Sequence, residues 1–340
     1  MSQPPPSSPQ LNSVHPLGER RPGAALAAAW RRTAPTHRPL AISALATLAL
    51  LALFVVGLWT DPRSIDGDPA WLKPTKFALS IAVYSFTLLW LLGHVEQSTP
   101  WRRRLVRASG WVVVVTFALE WVGILTQVLR GTTSHFNVAT PLDIAVWSLM
   151  GSAIGVLFFA NVVVVALLLT QRFADPALGA ALRYGVLISL VGMAQAALMT
   201  TPTAQQLAGW RTGTPITIVG AHSVGAPDGT GTGLPVVGWR SDVGDLRVGH
   251  FVGLHALQVL PLVWAWLRLR PQLDPRSRAR LVGVAAAGYL GLTLLVTWQA
   301  LRAQPLLQPD ALTLAALAAL VAATALGALW AARRTQARVA

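Results

Sequence analysis

The chain has no cysteine, only two lysines and only 13 acidic residues among 340. Without cysteine there can be no disulfide, no thiolate metal ligand, no cysteine-attached haem and no thiol nucleophile. Charged residues make up 12% of the sequence, where soluble domains carry about 25%. No Gly-x-Ser-x-Gly elbow is present. Asp228-Gly-Thr-Gly-Thr-Gly lacks the lysine and the strand–helix setting of a phosphate-binding loop and reads as turn. No lysine sits deep in an apolar run, which argues against a retinal Schiff base.

What the sequence has instead is hydrophobicity, at 54% of residues, gathered in long runs. Several approach the ~20 residues that a bilayer-spanning helix needs, and only helices satisfy the backbone within a single such run. The runs predict an all-α integral membrane protein with about eight transmembrane helices, at 39–59, 76–94, 109–130, 143–170, 180–200, 250–268, 281–301 and 310–331. Residues 1–38 and 332–340 are then tails, and 39–331 the membrane domain. Met1–Gly23, rich in Pro and Ser, reads as disordered, and Ala24–Arg32 as a short interfacial helix. The first run is too long for a cleaved signal, and Arg20-Arg21 therefore precedes a retained anchor.

Arginine fixes the expected orientation. With the N-terminus inside, 19 of the 25 arginines fall in 1–38, 95–108, 171–179, 269–280, 332–340 and the adjoining helix ends. Eight aspartates (61, 66, 68, 143, 228, 242, 245 and 310) fall on the other side. The positive-inside rule then predicts a plasma-membrane protein with both termini cytoplasmic. The net charge of +14 is accounted for by topology and by anionic lipid, without nucleic acid.

The informative loops are the outer ones: 61–76, 130–143 and the long stretch 201–249. The last contains Ile216-Thr-Ile-Val, Pro227-Asp-Gly and Leu234-Pro-Val-Val, which suggests a small β-hairpin cap between spans five and six. Both lysines, Lys73 and Lys76, lie in one outer segment, although the chain elsewhere uses arginine for positive charge. Snorkelling beside Trp71 accounts for them as readily as function does. Four of the seven histidines, His135, His222, His250 and His255, are expected outside or in the outer part of span six. Their spacing matches no zinc motif, so a metal would need ligands from separate segments. Loop histidines more often serve as hydrogen-bonding residues than as ligands.

Glu120 is the one acid inside a span, sharing a face with Thr116, Gln127 and Arg130. An ionisable group in hydrocarbon costs at least ~2.5 kcal/mol on insertion scales, so it must face protein or water. Lys76, Arg130 and His255 are its candidate partners. Ser80, Tyr84 and Thr87 on span two, Gln258 beside His255 on span six, and Tyr289, Thr293 and Thr297 on span seven are explained as well by polar contacts between helices.

These clues converge on an outward-opening cavity floored near Glu120 and covered by the 201–249 loop. The leading expectation is an enzyme or binding protein acting at the extracytoplasmic face on a small-molecule or lipid-linked ligand. In it Glu120 and His255 are acid–base groups, and Lys73, Lys76, Arg130, Gln127, Arg247 and Gln258 bind substrate. His135, His222, His250 and His255 are the candidate ligands should a metal ion serve it. The alternatives are a proton-coupled transporter using Glu120, and a haem-bearing electron carrier, which needs two facing histidines.

Overall fold

The computed structural model describes residues 30–336, with side chains to residue 332. The expectations for Met1–Gly23 and for residues 337–340 of the C-terminal tail lie outside the described residues; the last helix runs on to Gln336. Of the proposed interfacial helix, residues 30–32 are described and are helical.

Eight helices are long and apolar enough to cross a bilayer, as the sequence predicts. The helices are α1 (Arg38–Thr60), α2 (Leu72–Leu92), α3 (Pro100–Leu129), α4 (Pro141–Leu169), α5 (Pro176–Ala194), α6 (Ala196–Thr200), α7 (Ala204–Arg211), α8 (Leu246–Arg268), α9 (Pro275–Leu301) and α10 (Ala311–Gln336). The fifth span is α5 continued by α6 across a break at Gln195, and α7 is a short helix in the long loop. Most spans begin earlier than the apolar runs suggest, because the chain sets helix starts with capping residues and proline. Thr140 accepts from the Asp143 N–H before Pro141, Asp175 from Ala177 and Leu178 after Pro176, and Asp274 from Arg276 and Ser277 after Pro275. Proline is tolerated there because its missing N–H would have had no intrahelical partner. The same early start puts Lys73 and Lys76 inside the first turns of α2.

The helices form two groups. In one, α1 packs on α2 and α3, and α3 packs on α4; in the other, α5, α8 and α9 pack mutually, with α10 against α9. The α4–α5 contact joins them. Leu88, Leu89, Ile124, Leu157, Val164, Leu182 and Leu257 belong to one buried apolar core that spans the junction. The α5–α8 crossing is closest at Gly192 and Gly253, where a Cβ on Gly192 would lie 2.6 Å from the Gly253 carbonyl carbon. Two helix backbones approach this closely only through small residues.

The connections 61–71, 130–140, 201–245 and 302–310 gather at one end, here the loop end. Val138 donates to Thr217 O (2.8 Å), Val219 to Phe136 O (2.8 Å) and Lys76 to Val237 O (3.4 Å). At the opposite, arginine-rich end Arg102 holds Glu96 O and Leu167 O, and Arg183 holds Gln171 O. Two small two-stranded sheets occur at the loop end: β1 (Ser64–Ile65) with β2 (Asp68–Pro69), and β3 (Ser223–Val224) with β4 (Gly244–Asp245).

The long loop therefore does carry a two-stranded element, but not between the segments the sequence suggested. Ile216–Val219 pairs with the 136–138 stretch of another loop, through the bridge Asn137–Ile218. Leu234–Trp239 closes on itself as a tight turn beneath the Gly233–Arg240 bridge. An extended apolar segment satisfies its backbone with whichever edge tertiary packing brings near, and loop sequence alone does not specify that edge.

Candidate functional site

Glu120 lies nine residues before the end of α3, about 14 Å below the loop end by helical rise. It is 2% exposed, and its Oε1 has no hydrogen-bond partner. None of the partners anticipated for it is engaged with it. Arg130 donates to Asp143 and Gln127 at 2.5 Å each, Lys76 points to Val237 O, and His255 bonds Gln258. The cation within electrostatic reach of Glu120 is Lys73. Lys73 is half-buried and makes no hydrogen bond or ion pair among the described residues. Around it, also within electrostatic reach, stand Asp66, Lys76 and Arg247.

Two histidines border the same cluster. His135 sits in an aromatic cup of Phe77 (5.1 Å between ring centroids), Trp147 (5.5 Å) and Phe136 (6.4 Å). Burial in that cup, with the Lys73 and His222 charges adding to it, holds the His135 imidazole well below its ordinary pKa. His222 packs edge-on against Phe136 at 4.8 Å and places Nδ1 2.9 Å from Asp228 Oδ2. A carboxylate only accepts, so Nδ1 carries the hydrogen, and in the neutral ring Nε2 presents a lone pair. Desolvation lowers the His222 pKa and outweighs the opposing pull of Asp228. For Asp228, desolvation alone would raise the pKa. The hydrogen bonds from the His222 ring, the His222 N–H and the Ser223 N–H outweigh it and hold the carboxyl below its usual range.

Over the cluster lies the turn 233–240. Leu234 N–H donates to Trp239 O (2.7 Å), Gly238 N–H to Leu234 O (2.9 Å), and Trp239 rests against Phe251 of α8. Two cations from different helices hold it down: Lys76 of α2 through Val237 O at 3.4 Å, and Arg247 of α8 through Gly238 O at 2.6 Å. Arg247 is itself paired with buried Asp245 (2.6 Å).

The remaining predicted residues go elsewhere. Among the described residues no three His, Asp or Glu side chains converge as a metal site requires, so the four-histidine reading gains no support. His250 Nδ1 is taken up by Gly192 O (2.7 Å), a carbonyl near the end of α5. His255 is exposed, and its chain His255–Gln258–Thr87 (3.2 and 2.9 Å) joins α8 to α2. Gln127, Arg130 and Asp143 form a closed cluster tying α3 to α4. Tyr289, Thr293 and Thr297 bond backbone carbonyls or Gln195.

Sequence reasoning missed Asp228, read as a turn residue, and the aromatic cup of Phe77 and Trp147. The only signal for the first was an acid six residues after a loop histidine, a spacing with no helical or strand meaning.

The fold and composition define the chain as an all-α multi-pass membrane protein. Comparison with protein-family models, with curated proteins and with solved structures finds no match to this chain.

Proposed function

We propose that the chain is an enzyme or binding protein of the plasma membrane whose site, at the loop end, faces outward and takes an anionic small-molecule or lipid-linked ligand. The observation that carries this reading is that Lys73, unpaired among the described residues, lies within electrostatic reach of Glu120, whose Oε1 has no partner there. Leaving two buried or half-buried ionisable groups without direct partners costs stability, and function is the usual reason for retaining such groups. The neutral His222 ring, oriented by Asp228 with Nε2 free, supplies a general base, while Lys73 and Lys76 supply the charge that draws an anion. Arg130 and Gln127 are structural in this reading, and His255 is a polar contact between helices. Outward orientation rests on the placement of 19 of the 25 arginines toward the other end.

Native mass spectrometry of the protein extracted in mild detergent tests the reading. Wild type and Arg130→Gln should carry a bound anionic compound that Lys73→Gln and His222→Gln lose. An identical complement on all four would sink it.

A second reading, a transporter coupled to protons through Glu120, draws on the break in the fifth span at Gln195, because interrupted helices recur at transport sites. Substrate-dependent proton flux in proteoliposomes, abolished in Glu120→Gln, would favour it over the first.

A further inference from the structure

The 233–240 turn reaches from the second helix group, where Trp239 rests against Phe251, to the first, where Lys76 holds it. Its tip residue Val236 is 81% exposed, and Val237 and Gly238 offer only backbone oxygens to Lys76 and Arg247. Val236 also has a φ of +68°, a left-handed conformation that a β-branched side chain resists. Lys76 from α2 and Arg247 from α8, the latter paired with Asp245 (2.6 Å), meet on two neighbouring oxygens, an arrangement that suits an oxyanion. A third cation, Lys73, lies within electrostatic reach of both and makes no hydrogen bond or ion pair among the described residues.

Building on the outward-facing site proposed above, we propose that the Val237 and Gly238 carbonyls occupy the seat of a phosphate monoester, and that the 233–240 turn is a strap which this ligand displaces. A phosphate monoester carries about two negative charges at neutral pH and three acceptor oxygens. It therefore replaces two neutral carbonyls with charge-assisted bonds to Lys76 and Arg247 and gives Lys73 the partner it lacks. Once seated, the ester lies within reach of the Asp228–His222 pair.

The natural absence of cysteine permits a direct test. Nitroxides at Val236→Cys and at Trp59→Cys, an exposed residue at the loop end of α1, report the strap's distance from the first helix group. Inorganic phosphate and monododecyl phosphate are each titrated in neutral detergent, with binding followed by calorimetry on the same samples. The expected result is a shift of the spin–spin distance by several ångströms on binding, with binding weakened about tenfold or more, and the shift lost, in Lys73→Gln, a residue that does not touch the strap. A response to both probes identifies a soluble ester, and a response to dodecyl phosphate alone identifies a lipid headgroup. Binding with an unmoved strap overturns the displacement and leaves the outward anion site standing. No binding of either probe overturns the phosphate seat, and the native mass spectra of wild type and Lys73→Gln then decide the anion site separately.

Discussion

Replacing Asp143 with alanine separates a structural role for Arg130 from a ligand-binding one. The Asp143 side chain is 3% exposed and accepts from Gln127 Nε2 at 2.8 Å, Arg130 at 2.5 Å and Thr140 Oγ1 at 2.6 Å. Breaking a buried ion pair by removing one partner costs about 3–5 kcal/mol, because the other charge is stranded. Here the Arg130 side chain is 33% exposed. Its guanidinium can therefore turn to water, and the expected cost falls to about 2 kcal/mol. Gln127 is fully buried and cannot rehydrate in the same way. Unfolding by SDS titrated into maltoside micelles should show this loss for Asp143→Ala. The cycle with Arg130→Met and the double variant should give a coupling of about 1–2 kcal/mol. A coupling below about 0.5 kcal/mol would refute the closed cluster and return Arg130 to the ligand-binding role that the sequence suggested.

Glu120→Met should raise stability by about 1–3 kcal/mol while abolishing function, since it removes a buried oxygen with no partner and leaves an apolar side chain of similar size. A destabilised variant would mean that Glu120 is satisfied after all. Acid should weaken the loop end. His135 and His222 both have pKa values lowered from 6.5 by burial, so the unfolded chain binds their protons first, and stability present above about pH 6.5 is lost as the pH falls below it. Hydrogen exchange in 131–140 and 216–228 should speed up on going from pH 7 to pH 5.5 beyond the intrinsic pH effect, and less so in His135→Gln. Pattern and rate unaltered by the substitution would contradict this. Gly192→Ala should cost about 1–3 kcal/mol or more, because its Cβ would meet Gly253 backbone at 2.6 Å and backbone cannot step aside. A variant of unchanged thermal stability would show that α5 and α8 are free to separate.

The spans were legible because bilayer crossing imposes a length and a composition that soluble folding does not. Their starts were less so, since Thr99-Pro100 and Asp274-Pro275 open helices several residues ahead of the apolar runs. Lys73 and Lys76 stood out by composition, and the structure brings Lys73 within electrostatic reach of Glu120 and Arg247. Partnerships were not legible. Whether Arg130 serves Asp143 or Glu120 depends on which face of α3 meets α4, and a single amphipathic stripe does not encode that. Grouping histidines by expected depth likewise failed for His250 and His255. Depth says nothing of azimuth, and His250 is turned onto α5 while His255 is turned toward Gln258.

An outward site requires that the strap be reachable from outside the cell. Val236→Cys, the sole thiol in such a chain, is to be labelled in intact cells with a membrane-impermeant maleimide, and again after permeabilisation. Labelling should be complete in intact cells, with no gain on permeabilisation. Labelling that needs permeabilisation would place Lys73, Lys76 and the Asp228–His222 pair on the cytoplasmic side and contradict an outward site.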